Sequence, residues 1–134
     1  MLRIPARLSR QRGLTLFGFL FAAVVLILLA MLAMKVVPAY IEFFSIKKIL
    51  NSMGQESSLK SKSNAEIRSD FMRRASADYV DGKRAEALLI ERKAGVPTLS
   101  VDYEFRTPLV ANVGLVIEFK ASSDPNATAA ADVE

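Results

Sequence analysis

Serine hydroxyls lie close to lysine amines at two places, Ser61-Lys62 and Ser45 near Lys47. A Ser/Lys dyad performs acyl transfer when its lysine is desolvated enough to lose a proton and an oxyanion hole faces the nucleophile. Nothing around either pair signals those conditions. The carboxylates Asp102, Glu104 and Glu118 are the residues suited to acid and base work, but they alternate with Arg106 and Lys120, the pattern of solvated cross-strand pairs. The chain has no Cys and no His. That removes thiol nucleophiles, imidazole bases and the commonest zinc sites. No Gly-rich phosphate loop occurs. The residues therefore predict no enzyme, no catalytic or metal site, no cofactor and no small-molecule ligand.

Charge placement narrows the partners. The formal net charge is +4, from 18 Lys+Arg against 14 Asp+Glu. Arg3, Arg7, Arg10 and Arg12 account for the whole excess, since no acid precedes Glu42. The remainder of the chain is neutral, and nucleic-acid affinity needs a basic face on the folded part. Nucleic acid is set aside. The Arg cluster instead flanks an uncharged run from Leu14 to Met34, whose mildly polar members are Thr15 and Gly18. About 20 apolar residues cross about 30 Å of hydrocarbon. Arginines before such a run mark its cytoplasmic side. The expected topology is one transmembrane helix over 14–37, with Lys35 snorkelling, the N-terminus inside and the rest of the chain outside. A cleaved signal peptide fits less well, because the run exceeds an ordinary signal core and Val37-Pro38-Ala39 is a weak cleavage site.

The elements follow from periodicity. Residues 1–13 form a basic cytoplasmic leader. Residues 38–54 read as a membrane-proximal helix continuing the span, with Pro38 either kinking one long helix or starting its second part, Ile41, Phe44, Ile46, Ile49, Leu50 and Met53 at three- and four-residue spacing and Gly54 as its stop. Residues 55–63 (QESSLKSKS) read as a linker. Ser63 and Glu66 form an S-x-x-E capping box opening a helix from Asn64 to about Val80, with Ile67, Phe71, Ala75 and Tyr79 as its apolar stripe. Asp81-Gly82 would turn the chain. The period then changes to two: Leu99, Val101, Tyr103 and Phe105, then Val113, Leu115, Ile117 and Phe119, alternate with wetter residues. Residues 86–93 supply a third, less regular strand, with Gly95-Val96-Pro97 and Pro108–Asn112 as turns. The predicted fold class is α+β with one transmembrane helix: a long N-terminal helix, and a second helix packed on a three-stranded antiparallel meander spanning 64–121. Residues 122–134 lack apolar pattern and read as a disordered tail. A folded unit of this size is marginal alone, so help is expected from the membrane-proximal helix, a partner or self-association.

Three further features bear on contacts. Gly18 and Ala22 form a small-xxx-small pair of the kind that packs helices in lipid. Tyr40, Phe43 and Phe44 follow the span, where aromatics anchor at headgroup level. Leu109 and Val110 make the last loop unusually apolar. They could dock on a partner, dip toward lipid, or fold back onto the small core.

Two resemblances attach to these residues. Arg10-Gln11-Arg12-Gly13-Leu14-Thr15-Leu16 resembles the prepilin peptidase signal of type IV pilins and pseudopilins, and the order of helix then antiparallel sheet is pilin-like. Pilins carry a Glu five residues after the cleaved Gly, where this chain has Gly18. Arg12-Gly13-Leu14-Thr15, together with the stretch from Lys35 to Lys48, is similar to an uncharacterised family of small proteobacterial membrane proteins labelled domain of unknown function 4845. That resemblance implies an inner-membrane location and no known activity. The first expectation is therefore a bitopic inner-membrane protein with a periplasmic interaction or accessory domain, whose partners are the bilayer and an envelope protein or a second copy. The alternative is a pseudopilin-like subunit processed after Gly13, with Arg10, Arg12, Gly13 and Leu14 as the processing region.

Overall fold

The computed structural model describes residues 15–126. The expectations for the leader, for Arg10, Arg12, Gly13 and Leu14, and for most of the tail lie outside the described residues. The chain divides into two compact units after Ala33. The first, within the described residues, is the apolar part of helix α1, which runs Leu16–Gly54. Thr15 opens it: its hydroxyl accepts from the Gly18 N–H at 3.3 Å, and its carbonyl accepts from Phe19 N at 3.0 Å. Side-chain capping satisfies a donor that the helix itself cannot. This helix is long and apolar enough to cross a membrane, and its apolar window is unburied. Pro38 lies inside it. Proline has no N–H for the carbonyl four residues earlier, which here belongs to Met34, the first residue of the second unit.

The second unit is α+β. After α1 come a 3-10 turn Ser57–Ser61, helix α2 Asn64–Ala77, the short helix α3 Gly82–Ala85, and strands β1 Leu88–Lys93, β2 Val96–Val110 and β3 Val113–Ser122. The strands form one antiparallel sheet in the order β1-β2-β3. The capping box at α2 is complete, with Ser63 N donating to Glu66 Oε2 at 2.7 Å and Glu66 N to Ser63 Oγ at 3.3 Å.

The core gathers Ile46, Ile49, Leu50 and Met53 from α1, Ile67, Phe71 and Ala75 from α2, and Leu88, Leu99, Val101 and Ala121 from the sheet. Phe71 is fully buried, a burial that contributes about 2–3 kcal/mol. Helix α1 thus supplies the help that the small unit was expected to need.

Several local readings change. Residues 55–63 are not a plain linker: the 3-10 turn inserts Leu59 into the core at 3% exposure. Ile41 and Phe44 point away from the core and are exposed. Tyr79 does not extend the stripe of α2, because the helix has already ended. Val80 N donates to Ala75 O at 2.9 Å and Tyr79 N to Ser76 O at 3.3 Å, with Tyr79 at φ 58. This is the Schellman closure, with buried Val80 against buried Ala75 and the left-handed position filled by tyrosine instead of glycine. Asp81-Gly82 starts α3, with the Asp81 side chain accepting from Lys83 N.

The first hairpin turns at Ala94-Gly95, both at positive φ, so Val96 and Pro97 belong to β2. The second turns at Ala111-Asn112 after a register shift between Pro108 and Val110. Pro97 and Pro108 sit on the central strand only where it has a single neighbour, since β3 reaches back to Ser100 and β1 stops at Val101. That placement spares the ladder the missing N–H of proline.

Candidate functional site

Three groups of side chains gather chemistry, all in the second unit. The first joins α1 to α3. Glu42, on the half-buried flank of α1, forms an ion pair with Arg84 and accepts from the backbone N–H of Asp81 at 2.6 Å. Their side chains are 15% and 23% exposed, so the pair is partly shielded from water. The Arg84 guanidinium lies over the rings of Tyr103 and Phe105, 5.4 and 5.5 Å from their centroids. Cation–π attraction holds it there. Beside it, Phe119 stacks on Phe43 at 4.9 Å and meets Tyr40 edge-on at 5.2 Å. Tyr40 and Phe43 therefore pack on the sheet. The Tyr103 hydroxyl is buried with no hydrogen-bond partner among the described residues. Burial pushes its pKa up, against a smaller opposing pull from Arg84.

The second group is an ionic lattice between the 3-10 turn and α2. Lys62 Nζ reaches Asp70 Oδ2 at 2.7 Å and Glu56 Oε2 at 3.4 Å, Arg74 pairs with Glu56, and Arg73 pairs with Asp70. Hydrogen bonding from Arg74 lowers the Glu56 pKa, that from Lys62 lowers the Asp70 pKa, and the Asp70 bond raises that of Lys62. Lys62 is held charged, which is opposite to the need of a Ser/Lys dyad. Its neighbour Ser61 donates instead to the Ser58 carbonyl at 2.8 Å. Arg92 closes this end by donating to Lys62 O at 2.6 Å and Asn64 Oδ1 at 2.9 Å.

The third group is the outward face of the sheet and the β2–β3 hairpin. Asp102 stands opposite Lys120, but Glu104 stands opposite Glu118. The close ion pairs instead run along each strand, Glu104 with Arg106 and Glu118 with Lys120 at 3.8 Å. The register is set by the inward residues Tyr103 and Phe119, and the like charges outside accept what that register gives. Further along the hairpin, Leu109 is half-buried, while Val110 and Val113 are 63% and 62% exposed. Lys35 Nζ donates to the Pro108 carbonyl at 2.6 Å.

Of the contact residues expected from the sequence, Leu109 and Val110 lie at this hairpin's end, and Gly18 and Ala22 lie one turn apart on α1. No group of three metal-ligating residues occurs among the described residues. The sequence reading missed Glu42, Arg84 and Tyr103 as a cluster. An acid inside an otherwise apolar helical stretch was the available signal at Glu42. Nothing in the local pattern paired it with Arg84.

A family model described as Domain of unknown function (DUF4845) matches residues 35–119. Comparison with curated proteins and with solved structures gives no match.

Proposed function

We propose, from the premise that the chain belongs to the DUF4845 family, that it is a single-span protein of a bacterial inner membrane, carrying an interaction or accessory module on the periplasmic side. The observation that carries this reading is α1 itself. One helix holds the apolar run and then supplies Ile46, Ile49, Leu50 and Met53 to the core of the α+β unit. The module and its anchor are thus one covalent element. The four arginines before the run support an N-terminus in the cytoplasm.

Interaction as the module's role is supported by its exposed features. Tyr79 is 94% exposed and held at φ 58, a conformation in which glycine costs less. An aromatic kept there without packing on its own fold suits contact with another protein. The outward sheet face, with Asp102, Glu104 and Glu118 beside Arg106 and Lys120, offers a polar surface of mixed charge to a partner. Envelope proteins and a second copy are the partners proposed, and no catalytic role is assigned.

Reporter fusions after Ala121 test the topology. Activity of a periplasm-only reporter is expected, and activity of a cytoplasm-only reporter overturns the orientation. Photo-crosslinking from Tyr79 in native membranes is expected to trap a protein partner.

A second reading has one observation in its favour, the passage of a long apolar helix into an antiparallel three-stranded sheet. That order suits a pseudopilin-like subunit processed after Gly13. Gly18 opposes it, since it leaves no carboxylate near the new N-terminus. Intact mass of the membrane-extracted protein decides: loss of residues 1–13 supports processing, and their retention excludes it.

A further inference from the structure

We propose that the end of the β2–β3 hairpin is a second membrane-contact element, with Leu109, Val110 and Val113 entering the headgroup–acyl boundary of the leaflet at which the apolar run of α1 ends. The proposal rests on the single-span reading above and adds a lipid surface as the ligand of this hairpin.

Three contacts align β2 against α1 in opposite directions. Near the end of α1, a Cβ on Gly54 would meet Ser123 at 2.8 Å, and Ser123 is bonded to Leu99 through both its backbone N–H, at 2.8 Å, and its hydroxyl, at 3.0 Å. In the middle, Tyr40 and Phe43 pack on Phe119, the register partner of Tyr103. At the far end, Lys35 holds the Pro108 carbonyl. The lengths agree. From Gly54 back to Lys35 the helix rises about 28 Å at 1.5 Å per residue. From Leu99 to Pro108 the strand advances about 30 Å at 3.3 Å per residue.

Lys35 is the first charge after the apolar run. In a single-span protein its ammonium lies in the headgroup layer, and the Pro108 carbonyl lies there with it. Val110 is two residues further on, about 7 Å along the strand. Interfacial apolar groups bury about 5–10 Å into the headgroup–acyl boundary.

The composition suits that depth. From Phe105 to Ile117 the hairpin carries one charge, Arg106, and no acid. Val110, Val113 and Val116 are exposed, apolar and β-branched. Pro108 and the register shift beside it interrupt the ladder where the strands would enter lipid. Lys35, on the Pro108 carbonyl, and Arg106, paired with Glu104, are the charges just behind the apolar end, at the depth of the lipid phosphates.

The chain has no Cys, so single labels can be placed in it one at a time. Val110→Cys and Val113→Cys carry an environment-sensitive fluorophore in vesicles of phosphatidylethanolamine and phosphatidylglycerol. Leu26→Cys marks the apolar run, and Leu89→Cys marks an exposed apolar residue on β1. Brominated acyl chains and aqueous iodide are the two quenchers. Labels at 110 and 113 are expected to lose most of their emission to the brominated lipid and little to iodide, while Leu89→Cys shows the reverse. Iodide quenching at 110 and 113, with Leu26→Cys still quenched by lipid, overturns the hairpin contact and leaves the span intact. Iodide quenching at Leu26→Cys overturns the span and the hairpin contact with it. Shielding of 110 and 113 from both quenchers identifies a second copy covering the hairpin and overturns the lipid assignment.

Discussion

Removing the Glu42 carboxylate probes how α1 is locked to the rest of its unit. Glu42 does two things: it accepts from the Asp81 N–H at 2.6 Å and it pairs with Arg84. A hydrogen bond to a charged acceptor contributes about 1.5–3 kcal/mol. With Glu42 and Arg84 15% and 23% exposed, the ion pair is screened by solvent and is worth nearer about 1 kcal/mol than the value for a buried pair. Glu42→Ala loses both and is expected to cost about 2.5–4 kcal/mol. Glu42→Gln keeps an acceptor for Asp81 and should cost about 1 kcal/mol. Arg84→Ala loses the ion pair and its place over Tyr103 and Phe105, at about 0.5–1 kcal/mol per ring, for a total of about 2–3 kcal/mol. The double variant Glu42→Gln/Arg84→Ala should cost about 1 kcal/mol less than the two singles added, because both remove the same pair. The chain has no Trp and three Tyr. Urea unfolding in detergent micelles, followed by tyrosine fluorescence, therefore reports on Tyr40, Tyr79 and Tyr103 together, the last of them beneath Arg84. A coupling energy of zero, or a Glu42→Ala cost below about 0.5 kcal/mol, would refute the claim that this clasp fastens the helix.

The same assay carries four other expectations. Gly54→Ala places a Cβ 2.8 Å from Ser123 Cβ, so it should destabilise by about 1–3 kcal/mol, and Ser123→Gly in the same chain should recover part of that loss. Tyr79→Gly relieves the left-handed backbone at an exposed position and should stabilise by about 1 kcal/mol; a loss of stability instead would reveal packing by the ring. Glu56 and Asp70 have lowered pKa values in the folded chain, so their contribution is present at neutral pH and is lost as pH falls below about 4. The urea midpoint should drop over that window, and Glu56→Gln with Asp70→Asn should flatten the drop. A fragment starting at Asn64 loses Ile46, Ile49, Leu50 and Met53, each worth about 1.5–3 kcal/mol when buried. That sum rivals the whole stability of a small domain, so the fragment should show no cooperative transition, whereas one starting at Ala39 should.

The parts of this fold that were legible in the sequence are those where a local pattern and the tertiary structure ask for the same thing. Ser63 and Glu66 cap α2 in the way their spacing dictates. Leu99, Val101 and Phe119 are buried in the alternation that marks a half-wet strand. The misread positions are those where two local signals compete. Tyr79 continues a four-residue spacing, yet the closure through Val80 and Ala75 ends the helix before it. Leu59 is a lone apolar residue among serines and lysines, too short a signal for any period, yet the 3-10 turn buries it. Pro97 and Pro108 argued for turns, and the central strand admits them because each lies beyond the reach of one neighbour.

The candidate site was hardly legible, and the reason is physical. Its members act at long sequence separation: Glu42 with Arg84, Lys35 with Pro108, Gly54 with Ser123. These pairs tie α1 to α3, to β2 and to the residue after β3, and no window of residues contains any of them. Apolar residues on a helix and on a strand reveal which faces are buried, but not the offset at which the two elements meet. The polar contacts select that offset. Glu42 has two partners at one place, Lys35 has one at another, and a shift of a single helical turn, about 5.4 Å, would break both. The clasp and the hairpin contact are therefore coupled. If Glu42 sets the height of the sheet along α1, it also sets how far Val110 extends past Lys35.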